Sequence, residues 1–216
     1  METEIIAVDP ARPDPAALAR AAERLAAGAI VAFPTETVYG LGCLPEHAES
    51  VARIYAIKNR RLDQPLAFYL VEPGEISRAV AAMSSEARQL IEHFLPGPLT
   101  IILKDMSGSK VGFRVSSNQV LIELVTALGR PLVGTSANLS GHRSPTTPAE
   151  VLRDLEGRID ILLDAGKTAL GIDSTVVDCT SSPPTLVREG AIPADEISRV
   201  LGVTVARFAK PPGSSS

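Results

Sequence analysis

The chain has 216 residues, of which 45% are hydrophobic and 21% are charged, so its composition predicts a packed globular core and excludes a disordered protein. The formal net charge of −4 argues against a surface coated with basic residues for nucleic-acid binding, although it allows a local basic pocket. No apolar run approaches the roughly 20 residues of a membrane span, and the acidic segment METEIIAVDP is unlike a secretory signal. With two cysteines and three scattered histidines, we expect a reduced, metal-free protein of the cytoplasm.

Strand and helix patterns alternate through the first half of the chain. Residues 3–8 are predicted to form a strand, and the helix that follows has Asp14 as its N-cap and Gly28 at its C-terminal end. Later in the chain, Ser116 and Gln119 have capping-box spacing ahead of an apolar segment with helical periodicity. The other predicted strands are 29–33, 65–71, 99–104, 112–115, 131–136, 160–166, 174–179 and 184–189, and the other predicted helices are 45–58, 84–95, one that begins at Thr147, and 193–202.

The last three predicted strands follow one another with little room for helices between them. Parallel neighbours need a long crossover, usually a helix, so the pattern favours an α/β fold with an open, mixed sheet flanked by helices. The sequence contains neither an internal repeat nor a convincing linker. We therefore expect a single domain over residues 1–205 and a disordered tail over residues 206–216.

A basic segment, KNRRLDQ, ends the helix predicted at residues 45–58. Lys58, Arg60 and Arg61 fall within four positions of an otherwise acidic protein. Cations at a helix C-terminus are favoured by the helix dipole and need no ligand, so a solvated helix end is one interpretation. The other interpretation is that these side chains belong to an anion-binding site.

Two arginines are predicted to lie inside strands, Arg114 in GFRV and Arg188 in TLVRE. A guanidinium that is partly buried keeps its charge and needs an anionic partner. An ion pair with an internal acid would supply that partner, and this alternative stays open. If both arginines converge with the basic segment, they form a set of cations suited to a triphosphate and a carboxylate.

Polar side chains also follow several predicted strands. The segment AFPTETVYGLG passes from a strand into threonines, an acid, a tyrosine and glycines. GTSANLSGHRSPT continues a strand with Ser136, Asn138 and Ser144, and IDSTVVD opens a strand with Ser174. Because ligands of open α/β sheets bind at the ends of strands, the polar clusters and the basic segment together predict one polar pocket.

Two motifs typical of other chemistry are incomplete. DAGKT ends like a phosphate-binding loop, but Ile161 occupies the position five residues before Gly166 where that motif needs a glycine. GTSAN resembles the serine elbow of hydrolases, but Asn138 replaces its final glycine and His142 has no obvious acid partner. A hydrolase with Ser136 as nucleophile is kept only as a rival hypothesis.

Taken in order, the segments of this chain resemble the YrdC/Sua5 family, specifically its threonylcarbamoyl-AMP synthases. The matching segments cover about residues 20–190 and are PTETVYGLG, KNRRLDQPLAFYL, LPGPLTIIL, GFRV, GTSANLSGHRSPT, GIDSTVVD and LVREG. The resemblance implies a YrdC-like twisted mixed sheet with a concave basic pocket, in the short, single-domain form. It also implies synthesis of threonylcarbamoyl-AMP and pyrophosphate from L-threonine, bicarbonate or CO2, and ATP, for threonylcarbamoyl-adenosine modification of tRNA.

The same resemblance assigns roles to individual residues, motif by motif. It implies catalytic roles near the phosphates for Lys58 and Arg60, threonine contacts from Thr35, Arg114, Ser174 and Tyr69, and ATP contacts from Lys58, Arg60, Gln64, Ser136, Asn138, Ser144 and Arg188. Mg²⁺ is expected on the phosphate oxygens, without a metal site built from protein ligands. The implied partner is a threonylcarbamoyl-transferase complex that uses the product, with direct tRNA contact left open and no membrane involved.

Four positions depart from the family pattern. They are Arg61, where proline is common, Gln64, where asparagine is common, Tyr69, where histidine is common, and Lys110, where threonine is common. These departures bear on substrate preference more than on the reaction class. The alternative function is an RNA-binding protein without synthase activity, as suggested for the related YciO branch.

Overall fold

The computed structural model describes residues 2–207, which contain seven helices and eleven strands. The helices are α1 Pro15–Ala26, α2 Ala48–Lys58, α3 Gly74–Ala79, α4 Ser85–Phe94, α5 Gln119–Leu128, α6 Pro148–Leu155 and α7 Ala194–Leu201. The strands are β1 Glu4–Ala7, β2 Val31–Phe33, β3 Gly40–Cys43, β4 Ala67–Leu70, β5 Leu99–Lys104, β6 Lys110–Val115, β7 Leu132–Ser136, β8 Ile161–Asp164, β9 Thr175–Asp178, β10 Thr185–Arg188 and β11 Ala206–Arg207.

One mixed sheet joins the eleven strands in the order β1-β8-β2-β3-β7-β4-β6-β5-β9-β10-β11. The pairs β1/β8, β2/β8, β4/β6, β5/β9 and β10/β11 are parallel, whereas β2/β3, β3/β7, β4/β7, β5/β6 and β9/β10 are antiparallel. The predicted open, mixed α/β sheet is therefore confirmed.

Helices cover both faces of the sheet. Val31 and Phe33 of β2 pack into the apolar cluster that includes α1 and α5, while Ala32 packs into the cluster that includes α2 and α6. Successive side chains of a strand point to opposite faces, so β2 is buried on both sides. A third cluster joins α3, α4 and α7 to β5, β6 and β9. This double burial explains why the strands read as apolar runs rather than as alternating patterns.

The helix ends follow the predicted capping signals with one exception. Asp14 and Thr147 cap α1 and α6 through their side chains, and Gly28 follows α1 with a φ of 90°. The capping box at Ser116 is wrong: the N-cap of α5 is Asn118, whose side chain accepts the amides of the first turn. The Ser116 hydroxyl instead donates to the carboxylate of Glu36.

Three elements were not predicted from the sequence: β3, α3 and β11. Strand β3 has the sequence GLGC, and its two glycines lie where close packing leaves no room for a side chain. A Cβ at Gly40 would lie 2.5 Å from the Phe33 ring, and one at Gly42 would lie 2.8 Å from the Val133 carbonyl oxygen. The glycines that made this segment look like a turn are there to let strands approach closely.

The predicted C-terminal tail starts at residue 206, and its first two residues form β11 beside β10. The rest of that predicted tail, residues 208–216, lies outside the described residues. Over residues 2–207, no helix is long and apolar enough to cross a membrane.

Candidate active site

A cavity of about 780 Å³ lies over the middle of the sheet. Strands β3 to β7, β9 and β10 line it, together with the segment that follows α2. Seven of the side chains predicted from the sequence line this cavity, namely Arg60, Gln64, Tyr69, Arg114, Ser136, Ser174 and Arg188. The others, Thr35, Lys58, Asn138 and Ser144, lie next to the lining and act on it through the contacts described below.

Thr35 organises the turn between β2 and β3. Its hydroxyl donates to the Val38 carbonyl at 2.6 Å and accepts the amides of Thr37 and Val38 at 3.1 and 3.2 Å. The turn presents Thr35 and Thr37 to the guanidinium of Arg114, whose Nη2 donates to their hydroxyls at 3.3 and 2.5 Å. The polar PTET segment therefore forms a buried floor beside Arg114 rather than an exposed loop.

Arg114 has an internal anionic partner, Glu36. Its Nη2 lies 2.8 Å from Glu36 Oε1, and both side chains are at least nine-tenths buried. Burial by itself would raise the pKa of Glu36, but Arg114 and the Ser116 hydroxyl outweigh it and hold that pKa below its usual value. Sequence reasoning left an ion pair with an internal acid open and did not name Glu36. The Arg114 Nε is buried without a hydrogen-bond partner, and the residue itself lines the cavity.

Tyr69 lies against Arg114 at the base of the cavity. The Arg114 guanidinium carbon lies 5.8 Å from the centroid of the Tyr69 ring, which forms a T-shaped pair with the Phe33 ring. Burial raises the pKa of the Tyr69 phenol, so it remains protonated and can donate a hydrogen bond. At the position where the resemblance implies histidine, this chain thus places a neutral phenol.

The basic segment after α2 contains one arginine that faces the cavity and one that lies at the surface. Asn59 adopts the left-handed conformation that ends α2, which turns Arg60 toward the cavity. Arg60 donates to the carbonyls of Gln64 and Pro65 at 2.9 and 3.1 Å, whereas Arg61 pairs with Asp63 at the surface. Burial lowers the pKa of Arg60, although a guanidinium keeps its charge.

Lys58 is buried behind the cavity wall rather than in it. Its ammonium Nζ donates to the carbonyls of Ser136 and Asn138, both at 2.5 Å, and only 2% of the residue is exposed. Burial, and then the charge of Arg60, lower its pKa to about 7. Lys58 therefore fixes the end of β7, where Ser136 lines the cavity.

Ser174 and Arg188 lie together on the opposite wall. Arg188 donates through Nε to the Ser174 carbonyl at 3.0 Å and through Nη2 to its hydroxyl at 3.1 Å. The Ser174 hydroxyl also lies 2.9 Å from that of Thr100 on β5. Thr100 lines the cavity and was not singled out from the sequence.

Ser144 reaches the cavity through Asp173. Its hydroxyl donates to Asp173 Oδ1 at 2.9 Å, and Arg188 Nη1 lies 3.8 Å from the same oxygen. Asp173 therefore links the segment after β7 to the β10 wall. Sequence reasoning missed this residue, although its place directly before Ser174 was a usable signal.

The rival hydrolase has no support in this arrangement. Nδ1 of His142 lies 3.0 Å from the carboxylate of Asp154 on α6. Within residues 2–207, no hydrogen bond joins His142 to the Ser136 hydroxyl. The serine, histidine and acid therefore do not form the relay that an activated nucleophile needs.

Comparison with known proteins agrees with the resemblance noted in the sequence. A family model named for Sua5, YciO and YrdC, described as telomere recombination, matches residues 23–190. A curated threonylcarbamoyl-AMP synthase of Pyrococcus abyssi is 37% identical over 184 residues, which are 81% of this chain and 54% of that protein. The corresponding protein of Bacillus subtilis is 36% identical, over 86% of this chain and 56% of that protein. The chain thus spans about half the length of these curated relatives.

Solved structures give the same result. The P. abyssi Sua5 structure with L-threonine superposes with a TM-score of 0.91 at 34% identity, covering 99% of this chain and 65% of that chain. Escherichia coli YciO superposes with a TM-score of 0.83 at 26% identity, covering 90% of this chain and 99% of that chain.

Proposed function

The chain belongs to the Sua5/YciO/YrdC family, and from that membership and its cavity we propose that it is a threonylcarbamoyl-AMP synthase. Such an enzyme joins L-threonine, bicarbonate or CO2, and ATP into threonylcarbamoyl-AMP and releases pyrophosphate. The observation that carries the proposal is that Arg60, Arg114 and Arg188 line one cavity in a protein of net charge −4. Two negatively charged reactants can meet only where such cations offset their repulsion.

Threonine is proposed to bind at the Arg114 end of the cavity. The guanidinium of Arg114, which lines the cavity, offers the threonine carboxylate a charge-assisted hydrogen bond. Glu36 and the hydroxyls of Thr35 and Thr37 hold the guanidinium in place from behind. Ser174, across the cavity, and Tyr69, beside Arg114, supply polar groups for the rest of a small amino acid.

ATP is proposed to bind toward Arg60 and Arg188. These two arginines line the same cavity as Ser136 and Gln64. Lys58 and Asn138 act through the backbone around Ser136, and Ser144 acts through Asp173. In this proposal Arg60 is the catalytic cation closest to the phosphates, and Lys58 sets the position of the wall beside it.

The chemistry is an in-line displacement at phosphorus. Threonine and CO2 form a carbamate with loss of a proton, and a carbamate oxygen attacks the α-phosphorus of ATP. The new oxygen–phosphorus bond forms as the bond to the β-phosphate oxygen breaks, so pyrophosphate leaves with the electron pair. Such transfers depend on alignment and charge stabilisation, which the cavity's arginines and hydroxyls provide without a side-chain nucleophile.

Mg²⁺ is proposed to enter bound to the phosphate oxygens of ATP. In the described part of the chain, no group of three or more His, Cys, Asp or Glu side chains is placed to hold a metal ion. Asp63 and Asp173 are the carboxylates in the cavity lining. One or two carboxylates with substrate phosphates are the usual protein share of a Mg²⁺ site.

The product is proposed to pass to a threonylcarbamoyl-transferase complex that modifies adenosine in tRNA, in the cytoplasm. Direct contact between this chain and tRNA is not required by the proposed chemistry. The cavity already accounts for the three small reactants.

The test is pyrophosphate release by the purified chain with ATP, bicarbonate, Mg²⁺ and L-threonine. We expect release that needs both threonine and bicarbonate, with threonylcarbamoyl-AMP identified by mass spectrometry. Serine and other amino acids in place of threonine serve as controls. Pyrophosphate release that does not depend on threonine would contradict the proposal.

The alternative, an RNA-binding protein without synthase activity, has less support. The synthases of P. abyssi and B. subtilis are 37% and 36% identical to this chain, against 26% for E. coli YciO. The two functions separate in one experiment. Salt-sensitive RNA binding without threonine-dependent pyrophosphate release would favour the alternative.

A further inference from the structure

The segment that follows β7, residues 137–144, is held from outside the cavity by an acid that lines no part of it. Asp154 lies on α6, and its Oδ2 accepts the Leu139 amide at 3.1 Å and lies 3.0 Å from His142 Nδ1. Its carboxylate is only 5% exposed. The rest of the inner face of α6 is apolar, with Val151 and Leu155 fully buried.

Leu139 and its neighbours are fixed on the opposite side by Lys58 and Asn138. Lys58 donates to the carbonyls of Ser136 and Asn138, and its own carbonyl accepts the Ser140 amide at 2.9 Å. The Asn138 side chain donates to the Leu139 carbonyl at 3.0 Å and to a second carbonyl at 2.7 Å, that of His142. Asp154 is thus the outer anchor of a segment that directly follows Ser136, the last residue of β7.

A carboxylate is a costly choice for packing alone. Transfer of a charge into an apolar environment is unfavourable unless hydrogen bonds compensate for it. Burial would raise the pKa of Asp154, but the Leu139 amide and His142 outweigh it and keep the pKa low, so the group stays ionised. A leucine would fill the same space between Val151 and Leu155 without this cost. What the carboxylate adds is a fixed position for Leu139 and His142.

We infer that Asp154 is a positioning residue for ATP, acting through the Leu139 amide and His142 to keep Ser136 and Ser144 at the cavity wall. This inference rests on the proposed function and names a residue outside the cavity that controls its nucleotide end. Arg114 and Tyr69, at the threonine end, lie on other strands, β6 and β4. Loss of Asp154 therefore weakens ATP binding and leaves threonine binding nearly unchanged.

The test compares Asp154→Ala with Asp160→Ala as a matched control. Asp160 is also a carboxylate with only 11% of its side chain exposed. It accepts the Ile30 amide at 2.8 Å and the Arg53 guanidinium at 2.9 Å, but it lies outside the cavity lining. Titration calorimetry gives the Kd of each variant for ATP with Mg²⁺ and for L-threonine, and thermal unfolding gives its Tm. Asp154→Asn, whose amide oxygen still accepts from Leu139, is the conservative variant.

We expect Asp154→Ala to raise the Kd for ATP about tenfold or more and the Kd for threonine by less than about twofold. Asp154→Asn should recover most of the affinity for ATP, and Asp160→Ala should lower the Tm without changing either Kd. An unchanged Kd for ATP in Asp154→Ala, or an equal loss for both ligands, would overturn the inference. If Asp154→Ala does not fold, Asp154→Leu, which fills the space but removes the acceptor, is compared with Asp160→Ala, and the same difference between ligands decides.

The experiment separates this inference from the synthase proposal because binding needs no turnover. A wild-type protein that binds ATP but releases no threonine-dependent pyrophosphate overturns the synthase alone. If the wild type shows full turnover and Asp154→Ala has an unchanged Kd for ATP, only the role of Asp154 is overturned.

Discussion

Arg60 and Arg61 are neighbours in sequence with opposite surroundings, and they provide a matched pair of substitutions. Arg60 lines the cavity, whereas Arg61 pairs with Asp63 and is 75% exposed. Because Arg60 is proposed to stabilise phosphate charge, we expect Arg60→Ala to lower kcat/KM for ATP by about 10²-fold. Arg61→Ala should stay within about twofold, since exposed ion pairs contribute little. Steady-state pyrophosphate release measures both, and equal losses would show that the segment is only a solvated helix end.

Lys58 gives a prediction about pH. Its pKa is about 7 in the folded protein, against 10.5 for a free lysine side chain. Between these values the unfolded chain binds more protons than the native one, so this group makes the free energy of unfolding rise with pH from about 7 to about 10. Urea unfolding of wild type and Lys58→Met at several pH values should give a stability difference that grows in favour of wild type as pH rises. Two parallel pH profiles would contradict this.

Arg114 marks how far single residues can be predicted from the sequence. The rule that a buried guanidinium needs an anion predicted correctly that Arg114 has a special partner. It could not name Glu36, because the two residues are 78 positions apart. Only the successive pairings of β3 with β7, β7 with β4 and β4 with β6 bring them together. The prediction for Lys58 was limited in the same way. Its sequence motif does not distinguish a side chain in the cavity from one buried behind the cavity wall.

At the scale of elements, local sequence signals were sufficient where a structure depends only on residues that are neighbours in the sequence. Asp14 and Thr147 cap their helices as the sequence indicates, because a cap involves only neighbouring residues. Ser116 failed as a cap because Glu36, distant in sequence, takes its hydroxyl. Strand β3 was missed for a related reason. Its glycines are required by close contacts with β2 and β7, and these contacts cannot be read from the local sequence.

Gly190 shows how one element depends on another. It follows β10, and a Cβ there would lie 2.2 Å from the Asp173 carbonyl oxygen and 2.6 Å from the Ser174 carbonyl carbon. We expect Gly190→Ala to push this segment away, to lower the free energy of unfolding by about 1–3 kcal/mol and to weaken threonine binding at Ser174. Gly74→Ala is the control, because a Cβ there meets only the end of the Glu72 side chain at 3.7 Å. Denaturant unfolding and calorimetry measure both effects, and equal stability of the two variants would refute this account of Gly190.

At the scale of the whole molecule, the local charge of the cavity is opposite in sign to the net charge of the protein. The protein has a net charge of −4, yet three arginines line one cavity. The composition could not reveal this local concentration, because the arginines come from three separate parts of the chain. The carboxylates of Asp63 and Asp173 at the same cavity limit the positive charge when no ligand is bound.

This distribution predicts that salt weakens the binding of ATP more than the binding of threonine. ATP is a polyanion that would meet Arg60 and Arg188, and Arg188 is 47% exposed, so dissolved ions can screen their attraction. Threonine is a zwitterion without net charge and would meet Arg114, which is buried and already paired with Glu36. Raising KCl from about 50 mM to about 500 mM shortens the screening length to a few ångströms and should raise the Kd for ATP severalfold, while the Kd for threonine changes by less than about twofold. Arg60→Ala should reduce the salt dependence of ATP binding, because one of the screened charges is gone. Calorimetric titrations across the salt series provide the measurement, and a parallel loss of affinity for both ligands would mean that the arginines do not divide the cavity between a phosphate end and an amino-acid end.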